Sequence, residues 1–143
     1  TTGNPMRHAT LRGLAVMLLA IAAAPIPADA ASAPTGNWLL EEIAGRRAID
    51  RVQTTMEIRQ GHLGGKGGCN GYGADYRVKG DTISIGAALA TQMACDKPIM
   101  DQEQRFLQAL EKVRKWRKEH NRLVFLDARG KTVATFRAFK RGA

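Results

Sequence analysis

The residues best equipped to do chemistry in this chain are its two cysteines, and each closes a distinctive stretch. Cys69 ends Gly64-Gly65-Lys66-Gly67-Gly68-Cys69, with Asn70-Gly71-Tyr72-Gly73 following, and Cys95 ends Leu89-Ala90-Thr91-Gln92-Met93-Ala94-Cys95. Such a pair can form a disulfide, supply a thiol nucleophile or ligate a metal. A nucleophile needs a neighbouring base, and beyond residue 30 only His62 and His120 are on offer, neither in a recognisable setting. Metal centres need three or four ligands at tight spacing, and no such set assembles. A disulfide is the preferred reading; in the chain-entropy account, closing that loop stabilises the fold by about 3 kcal/mol. Gly65-Lys66-Gly67 resembles part of a phosphate-binding loop, but Gly67 stands where the loop needs Ser or Thr for Mg²⁺. Asn70 and Thr91 can line a ligand site or satisfy backbone groups at a bend, as short polar side chains do, and the structural role is preferred. Asp96, Asp101, Glu41 and Glu42 read as surface carboxylates. The expectation is no catalytic residue, no cofactor and no metal.

The elements that must position these residues are mostly strands. Asn37–Ile43 reads as a first strand with Trp38 and Leu40 on one face, after a small-residue leader, Ala31–Gly36, expected to be mobile. Thr54–Arg59 alternates, with Met56 and Ile58 inward. A strand from His62 runs into the glycine cluster, which marks a hard bend. Tyr72–Val78 and Thr82–Ile85 form a hairpin about Lys79-Gly80-Asp81. Gly86–Met93 is small and mildly apolar and is expected to lie on the core while delivering Cys95 to Cys69. A helix is predicted over Pro98–Val113, with proline in its first turn. Asp101 and Glu103 toward its start, and Lys112 and Arg114 toward its end, suit its dipole. Ile99, Phe106, Leu110 and Val113 form its apolar stripe. Trp116–Glu119, Arg122–Asp127 and Lys131–Phe139 complete the sheet, the middle one apolar enough to be buried on both faces.

The beginning of the chain carries a different signal. Arg7 and Arg12 precede an apolar run, Gly13–Ala24, which Pro25 and Pro27 break before Ala28-Asp29-Ala30. This reads as a secretory signal cleaved after Ala30, with Thr1–Pro5 an extension ahead of Met6; the competing reading is a retained anchor. The apolar run is short for a span, which needs about 20 residues. The expected organisation is residues 1–30 as signal and 31–143 as one domain, periplasmic or secreted, where thiols oxidise. With 22 Lys and Arg against 13 Asp and Glu, the chain carries +9. A basic run from Lys112 to Arg122 surrounds Trp116. It invites an anionic envelope component, but a solvated helix end and edge strand is preferred, since lysine also guards sheet edges. Nucleic-acid binding is disfavoured by export and by the few aromatics available for base stacking.

Taken together, these residues resemble the META domain, the HslJ-like family of bacterial heat-shock and envelope proteins. The resemblance rests on Trp38-Leu39-Leu40, Gly68-Cys69-Asn70 with Tyr72 and Tyr76, Thr91 with Met93-Ala94-Cys95, Glu103, Phe106-Leu107, Leu126-Asp127 and Phe136. It implies an α+β fold, mainly β, with a strongly curved antiparallel sheet close to an opened barrel and one packed helix. It also implies that Gly68, Asn70, Thr91 and Met93 are family-motif residues. Members of the family are often lipid-anchored; this chain has no cysteine near the cleavage point. The functional expectation is a non-enzymatic, monomeric, stress-associated module. It would bind or support an envelope protein or anionic envelope component, with no stable membrane span after cleavage. An apolar-ligand carrier within the sheet is the alternative, and an enzyme with an unrecognised site comes third.

Overall fold

The computed structural model describes residues 1–3, 5 and 33–141. The signal segment expected over residues 1–30 lies almost wholly outside them. Ten strands and one helix follow in order. They are β1 (Gly36–Ile43), β2 (Arg46–Arg47), β3 (Thr55–Arg59), β4 (His62–Lys66), β5 (Gly71–Lys79), β6 (Thr82–Ile85), β7 (Leu89–Ala90), α1 (Lys97–Lys112), β8 (Lys115–Glu119), β9 (Arg122–Leu126) and β10 (Thr132–Ala138).

All pairings are antiparallel, and they close. The order β1–β3–β4–β5–β6–β8–β9–β10 returns to β1 through a register running from Trp38 opposite Ala138 to Ile43 opposite Ala134. The ring is not a regular barrel. Its weakest seam joins β6 to β8, where Thr82 opposite Lys115 is the single register pair. Two further bonds hold the seam, from Ile83 N–H to Arg114 O and from Trp116 N–H to Asp81 O, both at 2.9 Å. The mainly-β, opened-barrel expectation therefore holds, with the opening at that seam.

Period-two alternation explains why these strands form a ring around a core. Trp38, Leu40, Met56, Ile58, Leu63, Ala74, Tyr76 and Ile83 point inward in sequence. Phe125 and Phe136 meet edge to face at 5.5 Å between ring centres. The helix sends Phe106 into the same core, 5.1 Å from the Tyr72 ring and 6.3 Å from that of Phe136. Leu110 and Val113 follow it. Trp38, Tyr76, Phe106 and Phe125 are all buried, so side chains occupy the space that an apolar ligand inside the ring would need.

Several local expectations require correction. The leader is tied down at its end: Pro34 is buried, and its carbonyl accepts a 2.9 Å bond from the Trp38 indole N–H. Arg46–Arg47, between the first two strands read from the sequence, pairs with Glu42 and Ile43 as β2. The segment before Cys95 forms the short strand β7 against Tyr72 and Gly73; Ala88 packs against the core, but the side chains from Leu89 to Ala94 face solvent. β8 is no edge strand, since β6 and β9 flank it. The glycine cluster serves close approach more than bending. A Cβ at Gly65 would collide with the Thr55 carbonyl, and β4 ends in a tight turn closed by Gly67 N–H to Asn70 O at 2.8 Å. β9 is buried on both faces, as its composition suggests: Val124 and Leu126 are buried yet stand outside the main core cluster.

Candidate functional site

Three separated stretches converge beside the helix. Cys69 and Cys95, 26 residues apart, are joined by a disulfide with Cα atoms 6.0 Å apart. The turn carrying Cys69 lies over α1 because Gly67 and Gly68 leave room for it. A Cβ at Gly67 would stand 3.1 Å from the Glu103 carboxylate, and Gly68 takes φ +142°, a backbone conformation that favours glycine.

Asn70 sits at the centre, 3% exposed. Its Oδ1 accepts from Met93 N–H at 2.6 Å and from the Thr91 hydroxyl at 3.0 Å. Its Nδ2 donates to Met93 O at 3.3 Å and to Glu103 Oε1 at 2.6 Å. The amide thus uses both acceptor sites and both donors, its full capacity. Glu103, equally shielded, accepts twice more through Oε2, from Cys69 N–H at 2.8 Å and Asn70 N–H at 2.6 Å. Gly68, Asn70, Thr91 and Met93 are thereby brought to one place. Met93 acts through its backbone while its side chain reaches solvent.

A second buried polar cluster lies alongside. Gln102 Nε2 donates to Thr54 Oγ1 at 3.2 Å, and its Oε1 accepts from Ile49 N–H at 2.8 Å. The Thr54 hydroxyl in turn donates to Gly67 O at 2.9 Å. The sequence singled out nothing at Gln102, and Glu103 stood out as a dipole partner and as a residue of the family resemblance, not as a buried carboxylate. The signal was present: 102 and 103 fall on the same helical face as Ile99, Phe106, Leu110 and Val113, so two polar residues interrupt an apolar stripe.

The helix termini also differ in detail from the dipole reading. Asp96 caps α1 without a side-chain bond, and Asp101 pairs with Lys97 at 2.8 Å. Arg114 donates to the carbonyls of Glu111 and Val113 at the other end.

Tyr72 is buried beside the knot and donates its hydroxyl to Thr55 O at 2.8 Å. Burial pushes its phenol above the ordinary tyrosine value of about 10. The fold therefore favours the protonated form, a contribution present below about pH 10 and lost as pH rises beyond it. Tyr72→Phe, which cannot ionise, will lose less stability than wild type between about pH 9 and pH 11, read from urea midpoints.

Beside the knot lies a groove of about 550 Å³, lined by Leu89, Met93, Met100 and Leu107 among others. Leu89 is 80% exposed and Met93 57%, and they are the exposed large hydrophobic residues among those described. The basic run is an exposed charged surface, with Lys112, Lys115 and Lys118 outside any ion pair among the described residues. Trp116 is buried and donates its indole N–H to Gly80 O at 3.1 Å, while Arg117 pairs with Glu119 at 2.5 Å and Arg122 with Glu41 at 3.1 Å. Among the described residues no three His, Cys, Asp or Glu side chains group to hold a metal, and no helix is long and apolar enough to cross a membrane.

A closed antiparallel ring with one helix packed on it, and a cross-linked polar knot at the helix, defines a small β-ring domain. The chain belongs to the META domain family, whose profile matches residues 31–140. Solved structures share the fold at low identity. A protein from Burkholderia xenovorans, solved by NMR, has a TM-score of 0.61 at 23% identity, covering 81% of this chain and 98% of that one. A DUF4847 family protein from Bacteroides vulgatus, a crystal structure, has a TM-score of 0.55 at 14% identity, covering 76% and 95%. A further NMR structure gives 0.57 at 15%, covering 72% and 88%. No curated protein matches the chain in sequence.

Proposed function

We propose that this META-domain protein is an exported, non-enzymatic module that binds a protein partner in the bacterial envelope, periplasmic or secreted, in support of the stress response. The observation that carries the reading is the uncharged run 86–94, which presents Leu89 and Met93 to solvent. Contiguous exposed apolar surface marks interaction sites more often than scattered single residues do. The run is held rigid from behind by Asn70 and by the disulfide, so little ordering entropy would oppose docking. The disulfide supports export, because such bonds persist outside the reducing cytosol. The polar residues best suited to chemistry, Asn70, Thr91, Glu103 and Gln102, spend their hydrogen bonds inside the protein. In this reading Gly68, Asn70, Thr91 and Met93 are a structural set that shapes the surface.

Osmotic-shock fractionation of the tagged full chain should release it with periplasmic markers, and cross-linking under heat or antibiotic stress should recover one specific partner. Leu89→Asp with Met93→Asp should leave melting within about 0.5 kcal/mol of wild type, since both side chains are exposed, yet abolish that cross-link. A cytosolic chain, or equal recovery by wild type and variant, would refute the proposal.

A further inference from the structure

A second groove, of about 620 Å³, runs along the outer face of β8, β9, β10 and β1. Leu123, Phe125 and Phe136 point inward, so alternation turns Arg122, Val124, Thr135 and Arg137 outward. The register sets Arg122 directly opposite Arg137, and Val124 opposite Thr135. Like charges in that position destabilise an antiparallel pair. Arg122 is offset by Glu41, but Arg137 forms no ion pair among the described residues.

The facing wall is residues 48–53, and it is anchored. Ala48 N–H donates to Glu41 O at 2.8 Å and Ile49 N–H to Gln102 Oε1 at 2.8 Å. Leu39, Ile49, Val52 and the buried Val124 give the groove an apolar strip within a mainly polar lining that includes the Arg117–Glu119 and Arg122–Glu41 pairs. It also holds Glu42 and Asp50, neither in an ion pair among the described residues. Glu42 lies opposite Thr135, two residues along β10 from Arg137.

We infer that this groove binds short peptides through a free C-terminal carboxylate held between Arg122 and Arg137. Guanidinium forks match a carboxylate bidentately. The carboxylates of Glu42 and Asp50 repel a polyanion but accept the peptide's ammonium, and the aliphatic strip takes a small apolar side chain. The volume falls in the usual range for small-ligand sites, about 300–1,000 Å³. This site is distinct from the Leu89–Met93 surface, so either can fail without the other.

The test is calorimetric titration of the full chain with Lys-Ala-Val as free acid, with its C-terminal amide and with inorganic phosphate, alongside NMR of the arginine Nε–H groups. The free acid should bind with Kd below about 1 mM and shift the Arg122 and Arg137 signals, while the amide should bind at least about tenfold more weakly. Arg137→Gln should lose at least about tenfold in affinity while melting no lower than wild type, because it removes one of two facing cations. Arg137→Lys, which keeps the charge without the fork, should fall between. No binding, equal binding of acid and amide, phosphate competing as strongly as the peptide, or full affinity in Arg137→Gln would each overturn the inference. So would an Arg137→Gln variant that melts well below wild type, which would make the arginine structural.

Discussion

Replacing Glu103 by alanine will produce the largest loss of stability of any single carboxylate substitution in this domain, about 4 kcal/mol, or a melting point lower by roughly 15 °C. The argument is one of unsatisfied donors. The Glu103 carboxylate takes bonds from Cys69 N–H, Asn70 N–H and Asn70 Nδ2, at 2.6 to 2.8 Å, where water has little access. Bonds to a charged acceptor are worth about 1.5–3 kcal/mol each, and a buried donor left without a partner carries its own desolvation penalty. Alanine removes all three at once. Glu103→Gln keeps one acceptor oxygen but turns an NH₂ toward donors, so it should fall between alanine and wild type. Glu111→Ala, an exposed change on the same helix, should leave melting within about 2 °C and serves as control. Hydrogen exchange adds a local readout: in Glu103→Ala the amide of Met93 should lose protection, since it donates to Asn70 Oδ1 and Asn70 is held in turn by Glu103. A Glu103→Ala protein that melts with wild type would mean that the knot does not hold the fold.

Much of this architecture was legible because it rests on local periodicity. Met56 and Ile58, and Tyr72 through Tyr76, announce their inward faces by alternation alone, and Pro98 marks the helix start. What stayed hidden depends on pairings distant in sequence. Ring closure between β1 and β10 leaves no local trace, so β8 could be taken for an edge although both its neighbours are present. The β7 segment was misjudged because small apolar residues usually seek cover; here backbone pairing with Tyr72 and Gly73, the Asn70 bonds and the disulfide fix it, which frees Leu89 and Met93 to face water. The knot was half visible. Its motif residues stood out, but the carboxylate joining them looked like a dipole-friendly helix residue, and only its place on the apolar stripe gave it away. The arginine pair on β9 and β10 required the register itself, which no single-strand pattern supplies.

Reduction of the Cys69–Cys95 bond will lower the melting point by roughly 12 °C, corresponding to about 3 kcal/mol from the lost constraint on the unfolded chain. The closed loop contains β5, β6 and β7 and so links the middle of the ring to the approach of α1. The two serine variants should not behave identically. Cys95 is exposed, so Cys95→Ser removes the cross-link and little else. Cys69 is 3% exposed, so Cys69→Ser also buries a hydroxyl. The Met93 carbonyl, 3.7 Å from the Cys69 sulfur, is the nearest partner for that hydroxyl, and a serine bond there would be long. Cys69→Ser should therefore melt below both Cys95→Ser and the reduced wild type, while those two should nearly coincide. Thermal unfolding with and without a dithiol reductant measures all three. Because Asn70 still clasps Met93 after reduction, the ring should keep its far-ultraviolet circular dichroism at 25 °C. Loss of that signal on reduction would show that the disulfide, and not the hydrogen-bonded knot, is what holds β7 and the helix together.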